Sequence, residues 1–191
     1  MKGWWGMRDG VIIREQRDDD LPAVHRVVTA AFADTGRVAA LVDGLLARAD
    51  CPAPGLVAED AGEIVGYVLL SRSWVDAPDE VVDVLVLSPL GVAPSHQRQG
   101  IGTELVARAV GRAADLGAPA VFLEGDPAYY GRLGWEPGRT YGFSPPSNRI
   151  PDPGFQVVVL APLPARRTGA LVYNDTFWTH DCVGLRPDPT P

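Results

Sequence analysis

Residues 81–116 pass from an apolar stretch through a loop carrying Gly100 and Gly102 into an amphipathic segment, and this succession constrains the fold more than any other part of the chain. Over Gly102–Leu116, Leu105, Val106, Ala109, Val110, Ala113 and Leu116 share one face, with Glu104, Arg108 and Arg112 opposite at i, i+4 spacing. A helix striped in this way must bury its apolar side against another layer. Val81–Val92 reads as a strand that extends a meander begun upstream, where Leu56–Glu59 and Ile64–Ser71 flank the turn cluster Asp60-Ala61-Gly62.

The remaining elements alternate in kind. Val11–Arg14 predicts a short strand. Asp18-Asp19-Asp20-Leu21-Pro22 predicts a helix start, with a carboxylate cap, acids facing the dipole and proline in the first turn. That helix runs to about Phe32, with Leu21, Val24, Val28, Ala31 and Phe32 at helical spacing, and Val38, Leu41, Val42, Leu45 and Leu46 predict a second. Ala120–Leu123 reads as a buried strand, Pro127–Leu133 as a short helix ended by Gly134, and Phe155–Leu160 as a late strand. The proline-rich run from Gly138 to Pro153 reads as a structured loop placed to border a substrate site. The expectation is a single domain over 11–185, preceded by an extension over 1–10 with Trp4, Trp5 and an alternative start at Met7, and followed by a tail over 186–191.

Composition excludes several chemistries. With 46% hydrophobic and 21% charged residues, the chain of 191 residues has the material for a core and falls outside the disordered class. No run approaches the roughly 20 apolar residues of a membrane span, and the start lacks the apolar stretch of a signal peptide, so a cytoplasmic protein without membrane attachment is expected. Lys2 is the only lysine, which removes both a Gly-Lys-Ser/Thr phosphate loop and an interior Schiff-base lysine. A net charge of −7 and no basic cluster longer than Arg166-Arg167 disfavour nucleic acid. Cys51 and Cys182 make no disulfide framework, and His25, His96 and His180 have no metal-ligand spacing, so no metal is expected.

Chemistry concentrates between the strand and the helix, at Val92-Ala93-Pro94-Ser95-His96-Gln97-Arg98-Gln99-Gly100-Ile101-Gly102. Amides entering a helix lack intrahelical acceptors and sit at the positive end of its dipole, so they can cradle a pyrophosphate. Gly100 and Gly102 permit close approach, Arg98 can add a charged contact, and Gln97 and Gln99 can donate without further charge. A dinucleotide fingerprint fails, because its third glycine would fall at Leu105.

Gln97-Arg98-Gln99-Gly100-Ile101-Gly102 matches the signature Q/R-x-x-G-x-G/A, and Asp126-Pro127-Ala128-Tyr129-Tyr130-Gly131-Arg132-Leu133-Gly134-Trp135 supplies a second block in the matching order. The chain thereby resembles the GNAT superfamily of N-acetyltransferases over roughly Val11 to Leu160, and its wording is similar to the YhbS-like bacterial branch. The resemblance implies an α/β (α+β) fold, with a mixed, mostly antiparallel sheet splayed between the fourth and fifth strands and flanked by helices. It implies acetyl-CoA as acyl donor and direct transfer to a primary amine. The cradle then maps to Gln97, Arg98, Gln99, Gly100, Ile101, Gly102 and Thr103, with pantetheine along Leu90, Gly91 and Val92. In Ser88-Pro89-Leu90-Gly91, proline lacks a ladder donor and glycine favours irregular backbone, which suits a break in pairing.

The resemblance further implies the Val92 amide as oxyanion donor and Tyr130 as the acid that protonates the departing thiolate, with Tyr129 packing. A phenol with an ordinary pKa of about 10 stays protonated for that task. Asp126 reads as a helix cap. Many relatives carry a glutamate on the fourth strand, whereas Val84–Val92 holds no carboxylate, so Asp83 and Glu124 are the candidates for a water-mediated base. The first two helices, the Trp74–Glu80 loop and the Gly138–Pro153 loop would shape the acceptor site, and none carries a signature that separates a small amine, an antibiotic or a peptide. Two other readings keep the cradle: a non-catalytic module sensing acyl-CoA, and a nucleotide-binding regulatory domain. A homodimer is common in the family, and composition is silent on it.

Overall fold

In the computed structural model of the chain, residues 10–51, 54–163 and 165–184 are described. The expected extension with Trp4, Trp5 and Met7, and the expected tail over 186–191, lie outside them. The elements in chain order are β1 (Val11–Glu15), α1 (Leu21–Phe32), α2 (Arg37–Leu46), β2 (Gly55–Asp60), β3 (Glu63–Asp76), β4 (Val81–Val92) and α3 (Ile101–Asp115). Then come β5 (Ala120–Glu124), α4 (Pro127–Tyr130), β6 (Glu136–Pro137), β7 (Phe155–Val159), β8 (Ala170–Val172) and α5 (Asp175–Thr179).

The strands form one sheet in the order β1-β2-β3-β4-β5-β7-β6, with β8 pairing to β3. The pairs β1/β2, β2/β3, β3/β8, β5/β7 and β6/β7 are antiparallel. β4 and β5 are parallel, and their register covers only Leu85↔Val121 and Val86↔Phe122. This is the mixed, mostly antiparallel sheet with an open fourth and fifth strand that the resemblance implies. By contacts the described residues divide into two compact units: those up to Leu70 with Leu87–Arg112, and Ser71–Val86 with those from Ala113 onward.

In the first unit the hairpin turn is where the sequence puts it, with Ala61 at φ +50° and Gly62 at φ +86° supplying the left-handed backbone of a tight reversal. Helix α1 buries Val24, Val27 and Val28, and α2 buries Val38, Leu41, Val42 and Leu45. Phe32, expected on the apolar face, is 47% exposed, because α1 ends there and Ala33 turns left-handed at φ +49°. Leu116 is likewise exposed, since α3 stops at Asp115 and Gly117, at φ +75°, donates back to the Ala114 carbonyl at 2.9 Å.

The expected carboxylate cap on α1 is not made. Asp18–Asp20 form a separate 3-10 turn, and Asp20 makes no side-chain cap to α1. Its carboxylate instead accepts both ends of the Arg14 guanidinium, at 2.6 and 2.8 Å, and the Arg17 amide at 2.7 Å. A part-buried bidentate pair outcompetes a cap because two charged bonds are each stronger than one to a neutral amide. The Arg14 bonds hold the Asp20 carboxyl below its ordinary value against the opposing effect of burial. A depressed carboxylate contributes its stability above the unfolded pKa of about 3.9 and loses it as pH falls through the folded value. Asp20→Asn should therefore lower unfolding free energy at pH 7 by about 1.5–3 kcal/mol in urea melts. The two proteins should converge under strong acid, and a deficit unchanged at low pH would rule out the ion pair as its source.

In the second unit the core centres on Phe122, stacked on Phe155 with centroids 5.6 Å apart and edge-on to Phe143 at 4.9 Å. The Trp74–Glu80 stretch is not one loop, since β3 continues to Asp76. β6, β8 and α5 had no sequence signal, being strands of two and three residues and a five-residue helix capped by Asn174 onto the Thr176 amide at 3.0 Å.

Candidate active site

The stretch expected to cradle the anion lies in the first unit. A 3-10 turn at Pro94–His96 leads out of β4, Arg98 and Gly100 take left-handed backbone at φ +60° and +81°, and α3 begins at Ile101. The Gly100 carbonyl accepts the Glu104 amide at 3.0 Å as the first helical bond, so the amides of Ile101, Gly102 and Thr103 precede any intrahelical acceptor. Ile101 is buried, at 1% exposed, and its side chain anchors the start of α3 in the core.

The glutamines act differently from the expectation. Gln97 Nε2 donates to the Val92 carbonyl and Gln99 Nε2 to the Ser95 carbonyl, each at 3.1 Å, so both side chains brace the loop. Arg98 is exposed at the apex. The loop is further tied down where Ala93 donates to the Val65 carbonyl at 2.8 Å, and His96 Nε2 lies 3.5 Å from Asp60. Gly66 seats the helix: a Cβ there would meet Leu105 Cδ1 at 3.0 Å and Ile101 Cγ2 at 3.1 Å. That close approach of α3 to the hairpin was not readable from the sequence, where Gly66 is one glycine among 21.

Leu90, Gly91 and Val92 form the end of β4 that feeds the loop. Gly91 has a role the sequence did not suggest, since a Cβ on it would press on Ala31 Cβ at 3.2 Å. Its absent side chain admits α1 against the strand.

Tyr130 and both base candidates lie in the second unit. Asp126 caps α4 by accepting the Ala128 amide at 2.8 Å, which starts the turn that carries Tyr129 and Tyr130. The Tyr130 ring is edge-on to Tyr129 at 4.8 Å and to Trp135 at 6.0 Å, so the aromatic pair and the closing tryptophan of the second block pack together. Gly125 lies so close to the Tyr130 ring that any Cβ there would collide with Cε2 and Cδ2. Burial, then Tyr129, push the Tyr130 phenol above its ordinary pKa.

The two carboxylates differ sharply. Asp83 is 62% exposed at the side chain and paired with Arg72 at 2.7 Å, the environment of a solvated strand residue. Glu124, at the end of β5, accepts Tyr173 Oη at 2.7 Å on Oε1 and the Gly184 amide at 3.0 Å on Oε2. Burial pushes its pKa up, partly offset by those two bonds and by the Arg149 charge. Among the described residues, no three His, Cys, Asp or Glu side chains group as metal ligands, and no helix is long and apolar enough to cross a membrane.

Residues 12–138 match the family described as acetyltransferase (GNAT) domain. The chain is 31% identical over 121 residues to the uncharacterized N-acetyltransferase YjhQ of Escherichia coli K12, a match covering 62% of this chain and 65% of YjhQ, just under two thirds of that protein. It is 32% identical over 132 residues to the uncharacterized N-acetyltransferase YhbS of the same strain, covering 66% of this chain and 74% of YhbS. Among solved structures, YhbS from E. coli in complex with CoA superimposes with a TM-score of 0.75 at 29% identity, covering 90% of this chain and 93% of that one. A GNAT acetyltransferase from Brucella melitensis in complex with acetyl-CoA gives 0.70 at 26% identity, covering 87% and 97%.

Proposed function

Because the chain belongs to the GNAT family of N-acetyltransferases, we propose that it transfers an acetyl group from acetyl-CoA directly to a primary amine, within one catalytic domain over 11–185. The observation that carries this reading is the left-handed backbone at Arg98 and Gly100 directly before α3, whose first amides lack intrahelical acceptors. A diphosphate ester is the chemistry such a helix start accepts, with Arg98 adding a charged contact from the loop. The relatives crystallised with CoA and acetyl-CoA support the same donor.

The remaining roles follow from what acetyl transfer requires. The thioester carbonyl needs a hydrogen-bond donor as negative charge develops on it, and the Val92 amide at the end of β4 is the candidate. The departing thiolate needs a proton, and the Tyr130 phenol, kept protonated by burial, is the donor proposed for it. The amine must lose a proton before or during attack. Of the two carboxylates, Glu124 suits this better than Asp83, since a raised pKa brings it toward the working pH and two bonds fix its orientation. The net charge of −7 is compatible with a cationic amine as acceptor.

The reading is tested by following thiol release from acetyl-CoA across a panel of polyamines, an aminoglycoside and a lysine-containing peptide, alongside thermal unfolding with acetyl-CoA, ATP and NAD. Turnover with stabilisation by acetyl-CoA alone supports it. Stabilisation without turnover would instead indicate a sensing module, and stronger stabilisation by ATP or NAD a nucleotide-binding domain.

A further inference from the structure

We propose that Tyr173 is a positioning residue for Glu124, holding its carboxylate ionised and fixed in direction so that it can take the proton of the acceptor amine. The inference rests on the reading of Glu124 as the base. Tyr173 is 4% exposed, and its hydroxyl donates to Oε1 at 2.7 Å. The Gly184 amide holds the other oxygen at 3.0 Å. Two donors from a distant stretch of chain thus grip both oxygens, while each oxygen keeps a further lone pair with which to accept a proton.

The surroundings of this pair are built rather than incidental. Tyr173 packs on Phe177 with centroids 4.8 Å apart, and the next residue is pinned where the Asn174 amide donates to Ser73 Oγ at 3.3 Å. Gly184 has φ +69°, and a Cβ there would meet Arg149 Cβ at 2.8 Å, so only glycine delivers its amide to Glu124 at this spacing. Arg149, the cation acting on Glu124, is itself placed by Asp181 at 3.4 Å and by the Trp178 ring at 5.9 Å. Among the described residues, the charged and titratable groups acting on Glu124 are Tyr173 and Arg149, with Asp181 acting through Arg149.

The sign of the effect follows. A hydrogen bond to the ionised form lowers a carboxyl pKa, so removing the Tyr173 hydroxyl lets burial raise that of Glu124 further. A base with a higher pKa is protonated over more of the acidic range, and the acid limb of kcat/KM moves to higher pH.

The test compares wild type, Tyr173→Phe and Glu124→Gln by carbon-13 titration of labelled glutamate carboxyls, with Glu124→Gln assigning the signal, and by kcat/KM against pH. In Tyr173→Phe the Glu124 signal should titrate at higher pH, and kcat/KM should fall about tenfold on the acid side and recover on the alkaline side. Glu124→Gln should lose activity at every pH. If Glu124→Gln keeps full turnover, or wild type acetylates no amine, the reading of Glu124 as base fails and takes the proposal with it. A crippled Glu124→Gln beside an unmoved acid limb in Tyr173→Phe overturns the proposal alone. Should Tyr173→Phe not fold, Arg149→Gln, which leaves the hydroxyl in place, must move the limb in the same direction, and an unmoved limb there is equally fatal.

Discussion

Tyr130→Phe should reduce acetyl-transfer turnover by about 10²- to 10⁴-fold, the range a positioned general acid contributes, while acetyl-CoA still stabilises the variant against heat. The substitution removes one oxygen and keeps the ring, so the contacts with Tyr129, Trp135 and the bare Gly125 backbone persist. Burial raises the phenol's pKa, which makes it a donor throughout the neutral range and leaves it little chance of acting as a base. Steady-state turnover and thermal unfolding with acetyl-CoA, measured on the same preparation, check this. Unreduced turnover would assign the thiolate's proton to water or another group, and a lost thermal shift would make Tyr130 a binding residue.

Gly100→Val should abolish acetyl-CoA binding. In wild type, ligand at about a hundredfold excess over its Kd adds roughly 2.7 kcal/mol, a rise on the order of 5–10 °C for a chain of this length. Gly100 sits at φ +81°, a conformation that a β-branched residue adopts only with strain. The loop must then rebuild, and the amides of Ile101, Gly102 and Thr103 lose their common aim. Circular dichroism establishes that the variant is folded, after which a rise of wild-type size would mean that the pyrophosphate binds elsewhere.

Much of the sheet and the strongest helices were legible because their signals are local. The hairpin around Asp60-Ala61-Gly62, the twelve residues of β4 and the apolar stripe of α3 each depend on periodicity and turn chemistry within a few residues. The glycine loop and the start of α3, the proposed cradle, were legible for the same reason, since glycine spacing and a helix start are neighbours in sequence. Asp126 could be read as a cap because a cap acts two residues away. Asp20 misled, because a carboxylate beside a helix start looks like a cap until Arg14, six residues back, is brought within 2.6 Å.

What the sequence by itself determined was the family, the fold class and the loop-to-helix junction proposed to meet the anion, all properties of contiguous segments whose residues interact with near neighbours. Only the tertiary structure separated the environments of the two carboxylates proposed as base. Asp83 and Glu124 are alike as letters, yet one is exposed beside Arg72 and the other is held by Tyr173 and Gly184, 49 and 60 residues further along. Gly66, Gly91 and Gly125 likewise gained their meaning from what packs against them. Burial and long-range hydrogen bonds set the electrostatics of a site, and both arise from contacts between segments far apart in the chain.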